Sequence, residues 1–109
     1  MRPLPVLLLL AACARPDQRY AGPLTPDASS AQCRPGTATL VLRGGDAVFT
    51  PDEGTWSLTG PTANQTLQAS RAAPRGGQRT QVDARWDGAK ATGTYVTSRC
   101  TFRFTLAPR

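Results

Sequence analysis

Histidine and isoleucine are both absent from this sequence of 109 residues. Histidine is the commonest general base near neutral pH and the commonest metal ligand, so its absence removes the most frequent catalytic and metal-binding arrangements. A structural zinc site needs about four clustered ligands, which two cysteines cannot supply without histidine. We therefore expect no catalytic residue, no metal site and no cofactor, and the chain is predicted not to be an enzyme.

Large apolar side chains are also scarce. From Cys33 to Arg109 the chain has five Leu, four Val and three Phe among 77 residues. This share of about 16% lies below the roughly 20% at which charged chains begin to resemble disordered ones. The predicted core is therefore thin, and a small exported domain with a thin core commonly depends on a disulfide.

No apolar run is long enough to cross a bilayer as a helix. The longest, Leu4 to Ala12, has nine residues and follows the single charge of Arg2, whereas a membrane-spanning helix takes about 20. A short apolar core after a positive start is typical of a secretory signal. Its end, Leu10-Ala11-Ala12-Cys13, resembles the lipobox of bacterial lipoproteins.

The lipobox resemblance covers only the first 13 residues. It implies that residues 1–12 are a signal peptide, that Cys13 carries the lipid, and that the protein is anchored in a bacterial cell envelope. Because Ala14 and not Asp follows the cysteine, the resemblance also implies an outer-membrane location facing the periplasm. Ala12-Cys13-Ala14 equally fits ordinary signal cleavage, which would discard Cys13 and release a soluble protein.

Two cysteines remain once Cys13 is assigned to the lipid. Cys33 and Cys100 are an even pair in an exported chain, so we expect them to form a disulfide. A bond between them closes a loop of 68 residues, for which chain entropy suggests about 4 kcal/mol of stabilisation.

The expected domain organisation follows from composition. Residues 13–32, rich in Pro, Ala and Ser, are predicted to be the lipidated cysteine and a flexible tether. Residues 33–109 alternate apolar and polar side chains between turn residues, which predicts an all-β domain. The expected strands are 37–43, 46–50, 55–60, 65–71, 79–86, 89–97 and 100–106.

Seven alternating strands form an antiparallel meander whose first and last strands run parallel. Cys33 and Cys100 then lie at one end, and a bond between them favours a sheet that curls round. We predict a small closed or nearly closed β-barrel, with a two-sheet sandwich as the second choice.

Turn residues set the expected strand pairing. Gly44-Gly45 and Asp87-Gly88 are suited to two-residue hairpins, and Pro51 to Gly54 to a four-residue turn. The pairs that follow are Leu40–Phe49, Leu42–Ala47, Trp86–Ala89, Phe49–Trp56 and Tyr95–Phe102. Trp56 and Trp86 fall in the inward register, so both are expected in the core.

Positive charge is the remaining functional signal. From Cys13 onward there are 12 basic and seven acidic residues, a net charge of +5, and 11 of the cations are arginine. An anionic partner is one explanation, and the composition of a GC-rich genome is the other. Nucleic acid is not expected as a partner, since no recognition motif is present.

The candidate site is the outer face of the last three strands. Arg85 is expected opposite Lys90 across the Asp87-Gly88 hairpin, with Arg103 two strands away. The predicted function is a lipid-anchored, non-catalytic module that binds or inhibits an anionic envelope glycan, lipid or protein. The alternative is a structural or assembly accessory of an envelope protein complex.

Overall fold

A computed structural model describes residues 18–30, 32–52, 57–71 and 80–109. These residues form eight β-strands and one short 3-10 helix. The strands are β1 Gln18–Pro26, β2 Gly36–Arg43, β3 Asp46–Pro51, β4 Leu58–Pro61, β5 Thr66–Arg71, β6 Thr80–Trp86, β7 Ala91–Val96 and β8 Thr101–Pro108, and the helix is Ala28–Ser30. Within these ranges no helix is both long and apolar enough to cross a bilayer.

The strands form one antiparallel sheet in the order β4-β3-β2-β1-β8-β7-β6-β5. Each strand is hydrogen-bonded to its neighbour in the chain, except that β4 and β5 form no ladder with each other, and β1 also pairs with β8. The sheet curls until β4 and β5 approach each other, where one isolated bridge joins Ala63 and Thr66. The predicted fold, a nearly closed antiparallel β-barrel with one disulfide, is confirmed.

All seven expected strands are present, but the barrel has an eighth. The predicted tether is wrong for Gln18–Pro26, which is β1 and fills the place between β2 and β8. Tyr20 and Leu24 on this strand are buried in the core. The folded part of the chain therefore begins by residue 18, and the first and last predicted strands do not pair directly.

The inward face of the barrel is filled with side chains. Its buried set is Tyr20, Leu24, Ala38, Leu40, Ala47, Phe49, Leu58, Leu67, Val82, Ala84, Trp86, Ala91, Tyr95, Phe102, Phe104 and Leu106. Eight strands enclose an interior just wide enough for such packing. The core role expected for Trp86 is confirmed, whereas Trp56 lies outside the described residues.

Small residues let the large ones fit. Gly93 faces inward, and a Cβ atom there would overlap the backbone carbonyl oxygen of Asp83 and lie 2.8 Å from the ring of Phe104. That ring stacks on Phe49 at 5.1 Å between centroids, and Tyr95 lies 5.4 Å from Phe49. A few aromatic rings packed against Ala and Gly thus replace the aliphatic residues that the sequence lacks.

The expected pairing is right in two hairpins. Leu42 lies opposite Ala47 and Leu40 opposite Phe49 across Gly44-Gly45, where Gly44 has φ 55°. Tyr95 lies opposite Phe102 across Ser98-Arg99, as the sequence predicts. In both hairpins the residues assigned to the turn are the ones that occupy it.

In two other hairpins the expected pairing is wrong by two residues. Trp86 pairs with Ala91 and not Ala89, because the Asp87 carboxylate accepts the N–H groups of Ala89 and Lys90 at 2.7 and 3.0 Å. Asp87 therefore ends the strand, and Gly88-Ala89 forms the turn. Phe49 likewise pairs with Leu58 and not Trp56. A shift of two keeps every side chain on its predicted face but changes its neighbours.

The disulfide is present and lies at one end of the barrel. The Cα atoms of Cys33 and Cys100 are 6.3 Å apart, a separation usual for a disulfide. The 3-10 helix brings Cys33 there, since buried Ser30 accepts the N–H of Thr101 at 2.9 Å and the N–H of Cys33 reaches the Ser30 carbonyl. We call this the disulfide end, and we call the opposite end, where β1 begins, the anchor end.

Candidate functional site

The three predicted cations all lie exposed on the outer face of β6, β7 and β8 or at its edge. The neighbours of Arg85 and Lys90 differ from the expectation, whereas Arg103 has the neighbour that the predicted Tyr95–Phe102 pairing implies. Arg85 lies opposite Thr92 and not Lys90, and Lys90 stands opposite Asp87, whose N–H donates to the Lys90 carbonyl at 3.0 Å. Arg103 lies opposite Thr94. The two-residue register shift of the β6–β7 hairpin causes this difference.

Hydroxyl groups separate the cations on this face. One row across the sheet runs Thr66, Arg85, Thr92 and Thr105, and the next runs Gln68, Asp83, Thr94, Arg103 and Thr25. We call these two rows the threonine wall. Because neighbouring strands are about 4.8 Å apart, Arg85 and Arg103 are separated by about 10 Å across the sheet.

Each cation also has a carboxylate nearby. Asp83 lies two residues from Arg85 on the same face of β6. The pKa of Asp87 is lowered, chiefly by the N–H groups of Ala89 and Lys90 and also by the charge of Lys90. Charges of both signs therefore alternate with hydroxyls, and the wall is mixed in charge and not uniformly positive.

The carboxylate near Arg103 is that of Asp27, which follows β1 in the chain. The pKa of Asp27 is lowered first by the side chain of Ser29, which donates to the carboxylate at 2.7 Å, and further by the charge of Arg103. Thr25 and Asp27 belong to the segment predicted as tether, so sequence reasoning missed them. Alternation of Tyr20, Gly22 and Leu24 was the available signal for the strand that carries them.

A shallow groove runs along the wall. It has a volume of about 360 Å³ and lies between β5, β6 and β7, with Arg85, Asp83, Gln68 and the hydroxyls of Thr66, Thr92 and Thr94 in its lining. Guanidinium, hydroxyl, amide and carboxylate groups together can donate to and accept from one ligand.

A second groove lies near the anchor end and was not predicted. Its volume is about 340 Å³, and its lining is Arg19, Tyr20, Thr39, Val41 and Arg109. The N–H of Arg109 donates to the carbonyl of Arg19 at 2.9 Å, which holds the two residues side by side. Both are exposed. Their adjacency depends on β1 lying between β2 and β8, so the tether prediction concealed it.

The one adjacent carboxylate pair, Asp52-Glu53, is only half described. Asp52 has φ 51° and its carboxylate accepts the N–H of Thr37 at 3.0 Å, as expected of a turn residue. Among the residues that the structure covers, no three Cys, Asp or Glu side chains are placed to hold a metal ion. Glu53 and the predicted lipidation residue, Cys13, lie outside those residues.

Comparison with known proteins gives no relative for this chain: no family model, curated sequence or solved structure matches it.

Proposed function

We propose that this protein is a lipid-anchored, non-catalytic binding module of the bacterial envelope, and that its threonine wall binds an anionic glycan. The anchor part of the proposal rests on Leu10-Ala11-Ala12-Cys13. The binding part rests on one observation: Arg85 and Arg103 stand on the outer wall of the barrel among threonine hydroxyls, beside a groove.

The filled interior supports an external site. A barrel of eight strands either holds a small ligand or packs its own side chains inside, and here sixteen buried residues form a single core cluster. Contact with a partner therefore falls to the outer wall and the loops. On the threonine wall, neighbouring strands bring donors, acceptors and cations into two rows across the sheet.

The mixed charge of the wall fits a glycan that carries hydroxyls together with carboxylate or phosphate groups. Arginine forms charge-assisted hydrogen bonds with such anions, and threonine and aspartate can bond sugar hydroxyls. The carboxylates already near Arg85 and Arg103 do not prevent this. Exposed ion pairs contribute at most about 1 kcal/mol, so a ligand anion can replace an internal partner at little cost.

The test is retention of the acylated protein by purified envelope polymers. Peptidoglycan sacculi and lipopolysaccharide serve as probes, at low and at physiological salt. We expect Arg85→Ala, Lys90→Ala, Arg103→Ala to weaken retention about tenfold, given contributions of several tenths of a kcal/mol from each exposed cation. Higher salt should weaken wild-type retention, because the Debye length is about 8 Å at physiological ionic strength.

The matched control is Arg34→Ala, Arg43→Ala, Arg99→Ala, which removes three exposed charges away from the wall. Equal retention of both triple variants and wild type would contradict the glycan proposal. Recovery of a defined protein complex from detergent-solubilised envelope, with no retention by either polymer, would favour the assembly accessory instead.

A further inference from the structure

We infer that the anchor end of the barrel rests on the anionic lipid surface, with the Arg19–Arg109 groove against the phosphates, so that the disulfide end points away from the membrane. This inference rests on the lipid anchor of the proposed function, and it assigns a partner to the groove near the chain's point of attachment.

The first step is the short covalent connection. Four residues, 14–17, separate Cys13 from Gln18, the first residue of β1. The Cα atoms of residues 13 and 18 can therefore be at most about 18 Å apart. The barrel is about 20 Å tall, given strands of eight residues tilted by about 40°. The anchor end can reach the bilayer surface, and the disulfide end cannot reach it while the barrel stands upright.

The second step is strand direction. β1 enters the barrel at the anchor end and leaves it at the other, where the 3-10 helix and Cys33 follow. Antiparallel alternation places the Gly44-Gly45 and Gly88-Ala89 turns, the 62–65 loop and Arg109 at the anchor end. The residues of these turns are small or of medium size and mostly exposed, so no large apolar side chain of the turns holds this end away from the headgroups.

The third step is the chemistry of the groove. Arg19 and Arg109 line it together, and none of its other lining residues has a carboxylate side chain. Two guanidinium groups beside a threonine hydroxyl suit a phosphodiester, since arginine can donate two parallel hydrogen bonds to phosphate oxygens. Arg43 and Lys90 add two exposed cations at the same end, opposite the exposed carboxylates of Asp46 and Asp87. The local excess of positive charge therefore comes from Arg19 and Arg109.

The fourth step is energetic. A few cations at a surface give only weak binding alone, but an anionic leaflet attracts each of them. The lipid anchor turns this contact into an intramolecular one, and a short connection gives an effective concentration in the millimolar range. A weak contact then suffices to set the orientation. The threonine wall stands upright beside the membrane and remains accessible to a glycan.

The experiment uses acylated, isotope-labelled protein in nanodiscs of equal parts phosphatidylglycerol and phosphatidylcholine, with a trace of gadolinium-headgroup lipid. The measurement is paramagnetic broadening of backbone amide signals. We expect Gly45 and Gly88 at the anchor end to lose signal at least threefold more than Ser29 and Ser98 at the disulfide end. In phosphatidylcholine alone this difference should fall by about half, because the phosphate contact is weaker without net negative charge.

Two double variants make the test specific. Arg19→Ala, Arg109→Ala should reduce the end-to-end difference in phosphatidylglycerol to the phosphatidylcholine value, while Arg34→Ala, Arg99→Ala, with the same loss of charge at the disulfide end, should leave it unchanged. Thermal melts confirm that both variants fold. Equal broadening at both ends, stronger broadening at Ser29, or a difference unaffected by Arg19→Ala, Arg109→Ala would overturn the inferred orientation.

Intact mass separates this failure from failure of the anchor. A membrane-fraction protein that begins at a diacylglyceryl-bearing Cys13 supports the anchor whatever the broadening shows. A soluble product that begins after Cys13 contradicts the anchor, and the orientation that depends on it, while the glycan-binding test of the threonine wall still stands by itself.

Discussion

The substitution Leu24→Ala tests whether residues 18–26 form a β-strand of the barrel or a flexible tether. Leu24 is fully buried, and it pairs with Gly36 of β2 and Phe104 of β8. The change removes three carbon atoms from water-free surroundings, a transfer cost of about 2 kcal/mol. The cavity left between two paired strands adds to this, so we expect the free energy of unfolding to fall by about 3–4 kcal/mol. That is a large part of the 5–15 kcal/mol typical of a domain.

The assay is guanidinium unfolding of the oxidised protein, followed by circular dichroism and fluorescence, with the slope m compared between variants. Thr25→Ala is the matched control, because Thr25 is the next residue of the same strand and is exposed. Its loss should cost less than about 1 kcal/mol. If Leu24→Ala unfolds at the wild-type midpoint with an unchanged m, Leu24 is not in the core and β1 is not a wall of the barrel.

Three other perturbations probe the packing and the closure of the barrel. Cys33→Ser or Cys100→Ser should lower the free energy of unfolding by about 2–5 kcal/mol, and thiol titration of the native wild-type domain should find neither cysteine free; two reactive thiols there would refute the pairing. Gly93→Ala should cost at least about 1–3 kcal/mol by overpacking, since its Cβ would overlap the backbone carbonyl oxygen of Asp83 and meet the Phe104 ring, and a neutral result would mean that these contacts are looser than described. Burial, with a smaller contribution from Asp52, raises the pKa of Tyr95 from 10.0 to about 12. The stability that this shift contributes is therefore complete below about pH 10 and lost as pH rises towards 12, so the melting temperature of wild type should fall relative to that of Tyr95→Phe over that range.

Which side chains of each strand face the core was predictable from the sequence, whereas which residues lie opposite each other on paired strands was only partly predictable. Alternation places Phe102, Phe104 and Leu106 inside, as the structure does, because a period of two is a local property of the chain. Pairing depends on which residues form the turn. Asp87-Gly88 favours a hairpin, yet the Asp87 side chain binds the next two N–H groups and moves the turn by one residue. That move separates Arg85 from Lys90.

The eighth strand was missed for a physical reason that lies in its prolines. Pro23 and Pro26 lower strand propensity, because proline lacks the N–H that a sheet interior uses. The structure accommodates Pro23 at a break in the β1–β8 ladder, where no pair is made between Ala21–Ala107 and Leu24–Phe104. Gly22 lies in the same gap, and a Cβ atom there would stand 2.8 Å from the carbonyl of Thr105. Gly22 and Pro23, which both lower strand propensity, are thus accommodated where β1 and β8 approach closely.

The position of β1 also determines the surroundings of Arg19 and Arg109 and the length of chain between Cys13 and the barrel. A tether of about 25 Å over residues 14–32 would leave the orientation of the barrel independent of a lipid at Cys13 and would give Arg19 and Arg109 no reason to be neighbours. With β1 in the wall, the connection shortens to four residues and Arg19 lies beside Arg109. The proposed lipid position at Cys13 is then coupled to the direction of every strand, because the strands alternate from β1 onward. A change in the length of the 14–17 connection should therefore alter how firmly the barrel is oriented, while its fold stays the same.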